Sequence, residues 1–151
     1  MTDGESVKVW FREGESVESM WATRTGPDHY RLENSPFFAY GVSWQDIVEA
    51  RPAPDGTLSF VRVVEKSGRR TIRVFFDGPH AAQERIDAVL AAVNVRGATY
   101  EGMNRIYFAV DVSPDIALGP VVRFLTQEGV QWEHVDPELG TVALRDQLAP
   151  G

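Results

Sequence analysis

The chain has 151 residues, with 22 acidic against 15 basic side chains, a formal net charge of −7 and no cysteine. That length suits one compact domain or two small lobes, and 43% hydrophobic with 25% charged residues is an ordinary globular balance. The lack of cysteine excludes disulfides, thiolate nucleophiles, cysteine-ligated zinc and iron–sulfur clusters.

The opening Met1-Thr2-Asp3-Gly4-Glu5-Ser6 is acidic and has no apolar core, so no signal peptide is expected. No apolar run approaches the roughly 20 residues that cross a bilayer, and a cytoplasmic location is the expectation. Residues 1–76 hold eleven acids and ten bases, whereas residues 77–151 hold eleven acids and five bases. The surplus of negative charge speaks against nucleic acid and anionic membranes as partners, since both are held by Lys and Arg.

Val7–Arg12 alternates apolar with mostly polar residues, the period of a half-buried strand. Glu18–Arg24 and His29–Leu32 flank Gly26-Pro27-Asp28 and predict a hairpin. Asn34-Ser35-Pro36 breaks the pattern, because Pro cannot donate to a ladder. Ile47–Ala50 and Leu58–Glu65 are further strands on either side of the turn Pro52–Gly56. Ser67-Gly68 predicts another hairpin onto Thr71–Phe76. Short strands at this spacing predict a curled antiparallel sheet or partial barrel.

The period then changes. Ala82, Ile86, Val89, Leu90 and Val93 recur at helical spacing, and Pro79 suits a first helical position. Gly97–Met103 and Arg105–Val112 read as two strands. Ser113 is a candidate N-cap for a helix with Val121, Val122, Phe124 and Leu125 on its apolar face, although Pro120 implies a kink or a start near Leu118. Gly129 ends that helix and Val130–Val135 is a last strand. From Thr71 onward the order is βαββαβ, the arrangement of ferredoxin-like domains. The fold class expected is therefore α+β, an antiparallel, partly barrelled N-terminal sheet followed by a ferredoxin-like unit. The boundaries expected are residues 1–66, 67–147 and a frayed tail at 148–151, with Thr71–Phe76 a strand that the two lobes could share.

Met20-Trp21-Ala22, the run from Tyr30 through Asn34-Ser35-Pro36 to Phe38, and Gly41–Val48 together resemble the opening of a bacterial family catalogued as domain of unknown function 4265. The later strand Ile106–Val112, the helix ending in Phe124-Leu125 and the pair Trp132-Glu133 are similar in spacing. The resemblance spans about Val7 to Val135. It implies a fold unit and its boundaries, and no mechanism.

Candidate site residues come from the segments that carry unusual side chains. The loop Asn34–Tyr40 holds Phe37, Phe38 and Tyr40 together with a Pro, so it either lines a docking surface or plugs the open end of the sheet, with Asn34 bonding the nearby backbone. Trp21 and Trp132, where exposed, are natural anchors for a partner. Asp46 is a turn-capping acid or a catalytic carboxylate. Glu101, Asp111, Glu133 and Asp136 are read as an acidic, solvated surface, with an acid–base pair as the alternative. His29, His80 and His134 lack metal-ligand spacing, and neither a metal nor a cofactor is expected. Arg105–Val110 resembles a base-stacking strand only superficially.

These features favour a non-enzymatic protein-binding module, in which Asn34, Phe37, Phe38, Tyr40, Trp21, Trp132 and Glu133 contact an unidentified protein. An acidic inhibitor or immunity-type protein that covers a basic site fits the charge. The alternatives are a small-molecule sensor, or an enzyme of unrecognised type using Asp46 or Glu133.

Overall fold

The structure is a computed structural model, described here for residues 2–138. The chain divides into two compact units between Arg69 and Arg70.

The first unit is a closed barrel of five strands, β1 (Ser6–Glu13), β2 (Ser16–Gly26), β3 (His29–Leu32), β4 (Ile47–Pro52) and β5 (Leu58–Glu65). Consecutive strands pair antiparallel, and the ring closes through a parallel pair, Val9 with Leu58 and Trp10 with Ser59. A meander with an odd number of strands brings its first and last strands together in the same direction, which is why the closing pair is parallel. Alternation sends Val9 and Phe11 of β1, Met20 and Ala22 of β2, Tyr30 and Leu32 of β3, and Val48 and Ala50 of β4 into one buried cluster. Phe11 stacks on Phe60 with ring centroids 4.6 Å apart. Ala39 and Val42, from the segment between β3 and β4, join this core. Tyr30 is buried here, and loss of hydration pushes its hydroxyl above the ordinary range.

The second unit is a sheet of β6 (Arg70–Phe75), β7 (Thr99–Gly102), β8 (Tyr107–Val112) and β9 (Gln131–Asp136), crossed by α1 (Gln83–Val95) and α2 (Leu118–Gln127). Its order β7-β8-β6-β9, antiparallel throughout, is that of a ferredoxin-like domain. Both helices press on one face: Ile86, Val89, Leu90 and Val93 of α1 and Val121 and Leu125 of α2 share a core with Ile72, Val74, Val110 and Val112. Gly97, just past α1, has a φ of +92°, and a Cβ there would come within 2.8 Å of Ile116 Cδ1, so only glycine fits.

Four expectations are corrected. Residues 70–75 pair with β8 and β9 and not with β5, so Ser67-Gly68 belongs to the connection between units and the lobes share no strand. Pro79 opens a short 3₁₀ turn, Gly78–Ala81, and the α-helix begins at Gln83. Ser113 caps no helix, because its hydroxyl bonds Asp115 and α2 starts at Leu118 behind Ala117. This start places Pro120 in the first turn, where its missing N–H leaves no helical hydrogen bond unmade. The closing strand pair, finally, makes the first sheet mixed and not wholly antiparallel.

Leu125 is fully buried between α2 and the sheet. Leu125→Ala should lower unfolding free energy by about 2–5 kcal/mol in urea titrations followed by tryptophan fluorescence. A loss below about 1 kcal/mol would contradict the packing of α2 described here.

Candidate functional site

The loop after β3 is held by carboxylates that reach it from the β1–β2 hairpin. Glu18 lies at an inward-facing position of β2, in phase with Met20 and Ala22, and is buried. Its Oε2 accepts the Phe37 N–H at 2.6 Å, and its Oε1 accepts the N–H groups of Phe38 and Ala39, both at 3.0 Å. Glu13 adds a bond from the Tyr40 N–H at 3.2 Å. At the other end of the loop, Asn34 Oδ1 accepts the Trp21 N–H at 2.7 Å, and the Glu33 N–H donates to the Trp21 carbonyl. Asn34 thus bonds the nearby backbone as its sequence context suggests. A loop with three consecutive N–H groups turned onto one carboxylate is shaped before any partner arrives. Phe38, 36% exposed, lines a shallow depression together with Phe11, Glu13, Ser16, Glu18 and Ala39. Phe37 and Tyr40 are half-buried.

Trp21 is 49% exposed, and Val17 on the same outward face of β2 is 52% exposed. In the β1–β2 register Lys8 lies opposite Trp21 and Arg12 opposite Val17, with Trp10 opposite Ser19 between them. Lys8 Nζ sits 5.0 Å from the Trp21 ring centroid. The other side of the barrel carries charges that neutralise one another. Glu49 accepts from Arg51 at 2.6 Å and from Arg62 at 2.8 Å, and Arg51, reinforced by Arg62, holds its carboxyl below the usual range.

Asp46 is completely buried and saturated with donors. Oδ2 takes the Ser43 N–H at 2.9 Å and the Lys66 ammonium at 2.5 Å, and Oδ1 takes the Ser67 N–H at 2.8 Å. Ser67 Oγ donates to the Trp44 carbonyl, and Arg69 bonds the Gln45 side chain while its guanidinium lies 4.3 Å from the Trp44 ring centroid. Gln45 adopts φ +69°, a left-handed conformation that these contacts hold in place. Asp46 therefore fastens residues 66–69 to the barrel, and a carboxylate so occupied offers little to a substrate.

In the second unit the sheet face away from the helices carries buried polar groups. Arg73 is 1% exposed and its Nε donates to Glu133 Oε1 at 3.1 Å, while Asp111 and Asp136 are also buried. Three of the four carboxylates expected to form a solvated acidic surface are thus buried. A charge can be kept there only because opposite charge and hydrogen bonds replace its water. Glu133 is an ion-pair partner at this position and not an exposed contact. Trp132 is half-buried on the helix side, where its Nε1–H donates to Thr126 Oγ1 at 2.9 Å and its ring meets the edge of His134. Among the described residues no three His, Asp or Glu side chains come together as metal ligands, and no helix is long and apolar enough to cross a membrane.

Of the candidate residues, then, Asn34, Phe37, Phe38, Tyr40 and Trp21 belong to one loop and the strand beside it in the barrel, and Trp132 and Glu133 belong to the other unit. Sequence reasoning missed Glu18 and Arg73. Glu18 was legible as an acid in phase with core residues, a position that demands donors.

A closed five-stranded barrel followed by a βαββαβ sheet defines a two-unit α+β protein. The chain belongs to the family described as Domain of unknown function (DUF4265), whose model matches residues 18–135. It is also similar to a crystal structure of a hypothetical protein from Neisseria gonorrhoeae, with a TM-score of 0.67 at 17% identity over 93% of this chain and 99% of that one. At that identity the likeness shows the fold. No protein of curated function matches the chain.

Burial pushes the His134 imidazole below its ordinary value, and its Nδ1 has no hydrogen-bond partner among the described residues. The folded pKa then lies below the unfolded value of 6.5. The stability His134 contributes is complete above that unfolded value and is lost as pH falls through the folded one. Unfolding free energy should therefore decline as pH falls below that unfolded value, and His134→Gln should flatten part of that decline in paired denaturation curves. An unchanged slope in the variant would contradict the assignment.

Proposed function

We propose that the protein is a non-enzymatic protein-binding module whose contact surface is Trp21 with the adjoining Asn34–Tyr40 loop. The observation that carries this reading is the exposure of Trp21, at 49%, on a strand whose backbone is fixed on both sides. Tryptophan at a rigid, solvent-facing position supplies large contact area with little conformational entropy to lose, which is the character of an interface anchor. Phe38 adds a second exposed ring on a loop that Glu18 has already shaped. The carboxylates available for catalysis, Asp46 and Glu133, are engaged by Lys66 and Arg73, so a binding role fits their geometry better than acid–base chemistry. With Asp111, Glu133 and Asp136 buried, the barrel surface fits a contact region better than these second-unit carboxylates do.

The reading predicts that p-benzoylphenylalanine at position 21, irradiated in cells of the host, forms a discrete protein adduct. The same probe at Val95, 84% exposed on α1, should not form it. Equal adducts at both positions, or none at position 21, would contradict a docking role for Trp21.

A further inference from the structure

The outward face of the β1–β2 hairpin is chemically one-sided. Lys8 and Trp21 form one cross-strand row, and Arg12 and Val17 another. Trp10 lies between the rows, half-buried. The outward positions of both strands in this stretch, residues 8, 10 and 12 and residues 17, 19 and 21, include no acid, in a chain of net charge −7. Among the described residues neither cation has an ion pair. Lys8 lies over the Trp21 ring, and Arg12 donates to Ser59 Oγ at 3.1 Å. Asp55, whose Oδ1 takes the Thr57 N–H and hydroxyl, feels Arg12 without forming an ion pair with it. The arginines on the far side of the barrel differ in this respect, since Arg51 and Arg62 are spent on Glu49.

We infer that this face receives an acidic segment of a partner protein, one with carboxylates on either side of an apolar side chain. The inference rests on the binding role proposed above and names the chemistry of the partner. Lys8 and Arg12 stand four residues apart on one strand, about 13 Å, a distance that an extended segment covers in roughly five residues. The apolar side chain would lie on Trp10, Trp21 and Val17, and the carboxylates would reach Lys8 and Arg12 at the ends. Cations without a direct ion pair at the rim of an aromatic surface select against basic partners and speed the encounter with acidic ones.

The test is selection of random peptides displayed on phage against the full-length protein, followed by fluorescence anisotropy with the selected peptide made synthetically. The expected result is enrichment of Asp and Glu around a Leu, Phe or Trp. Binding should be abolished by Trp21→Ala and weakened about tenfold by Lys8→Glu combined with Arg12→Glu. Circular dichroism of each variant should match the wild type, because all three side chains lie at the surface. Peptides that depend on Trp21 but lack acids, and that ignore the double charge reversal, would overturn this inference and leave the binding module standing. No Trp21-dependent peptide at all would overturn both. Tight binding of oligo(dT) that is lost in the charge-reversal variant would replace the acidic protein segment with a single-stranded nucleic acid.

Discussion

The carboxylate of Glu18 holds the segment on which the rest of the barrel depends. Between β3 and β4 the chain must cross the end of the barrel, and its backbone there has no neighbouring strand to bond. Three of its N–H groups, from Phe37, Phe38 and Ala39, turn to Glu18 instead. A bond from a backbone amide to a carboxylate contributes about 1.5–3 kcal/mol, and leaving such donors unmade costs a comparable amount each. With the loop held, Ala39 and Val42 enter the core while Phe38 stays partly exposed. Asn34 ties the start of the same loop to Trp21, so the exposed aromatic residues belong to one fixed piece of backbone.

The second unit uses a buried charge in a different way. Arg73 and Glu133 face each other across β6 and β9 with almost no exposure. Such a pair adds little net stability over apolar side chains of similar size, yet removal of one partner strands the other and costs about 3–5 kcal/mol. The pair also marks the register, because a slip of one residue would turn Arg73 into the helix-side core and send Ile72 and Val74 to the opposite face. Ala109, opposite Arg73 on β8, is the smallest side chain on that face and leaves space beside the long guanidinium.

Much of this architecture is legible in the sequence. Period-two runs marked β1, β3 and β5, and the change to helical spacing near Ala82 marked the second unit and its βαββαβ order. The errors arise where a local signal fits more than one structure. Ser67-Gly68 has the chemistry of a hairpin turn, but β6 finds more apolar surface in its own unit and pairs with β8 and β9. Ser113 has the chemistry of an N-cap, but its hydroxyl closes a local turn on Asp115 first. Asn34, Phe38 and Trp21 were recognisable as unusual residues outside the core pattern. The buried state of Asp111, Glu133 and Asp136 was not, because a carboxylate on a strand looks the same whether water or an arginine faces it.

The most direct test of the account is amide hydrogen exchange, measured by NMR, at Phe37, Phe38 and Ala39 in the wild type and in Glu18→Gln. An amide side chain keeps one acceptor and points a donor at the remaining N–H groups, so it cannot replace the carboxylate. The account predicts slow exchange at all three sites in the wild type and much faster exchange in the variant, with Val9 and Leu32 in the barrel wall still protected. Fast exchange in the wild type, or protection that survives Glu18→Gln, would contradict it.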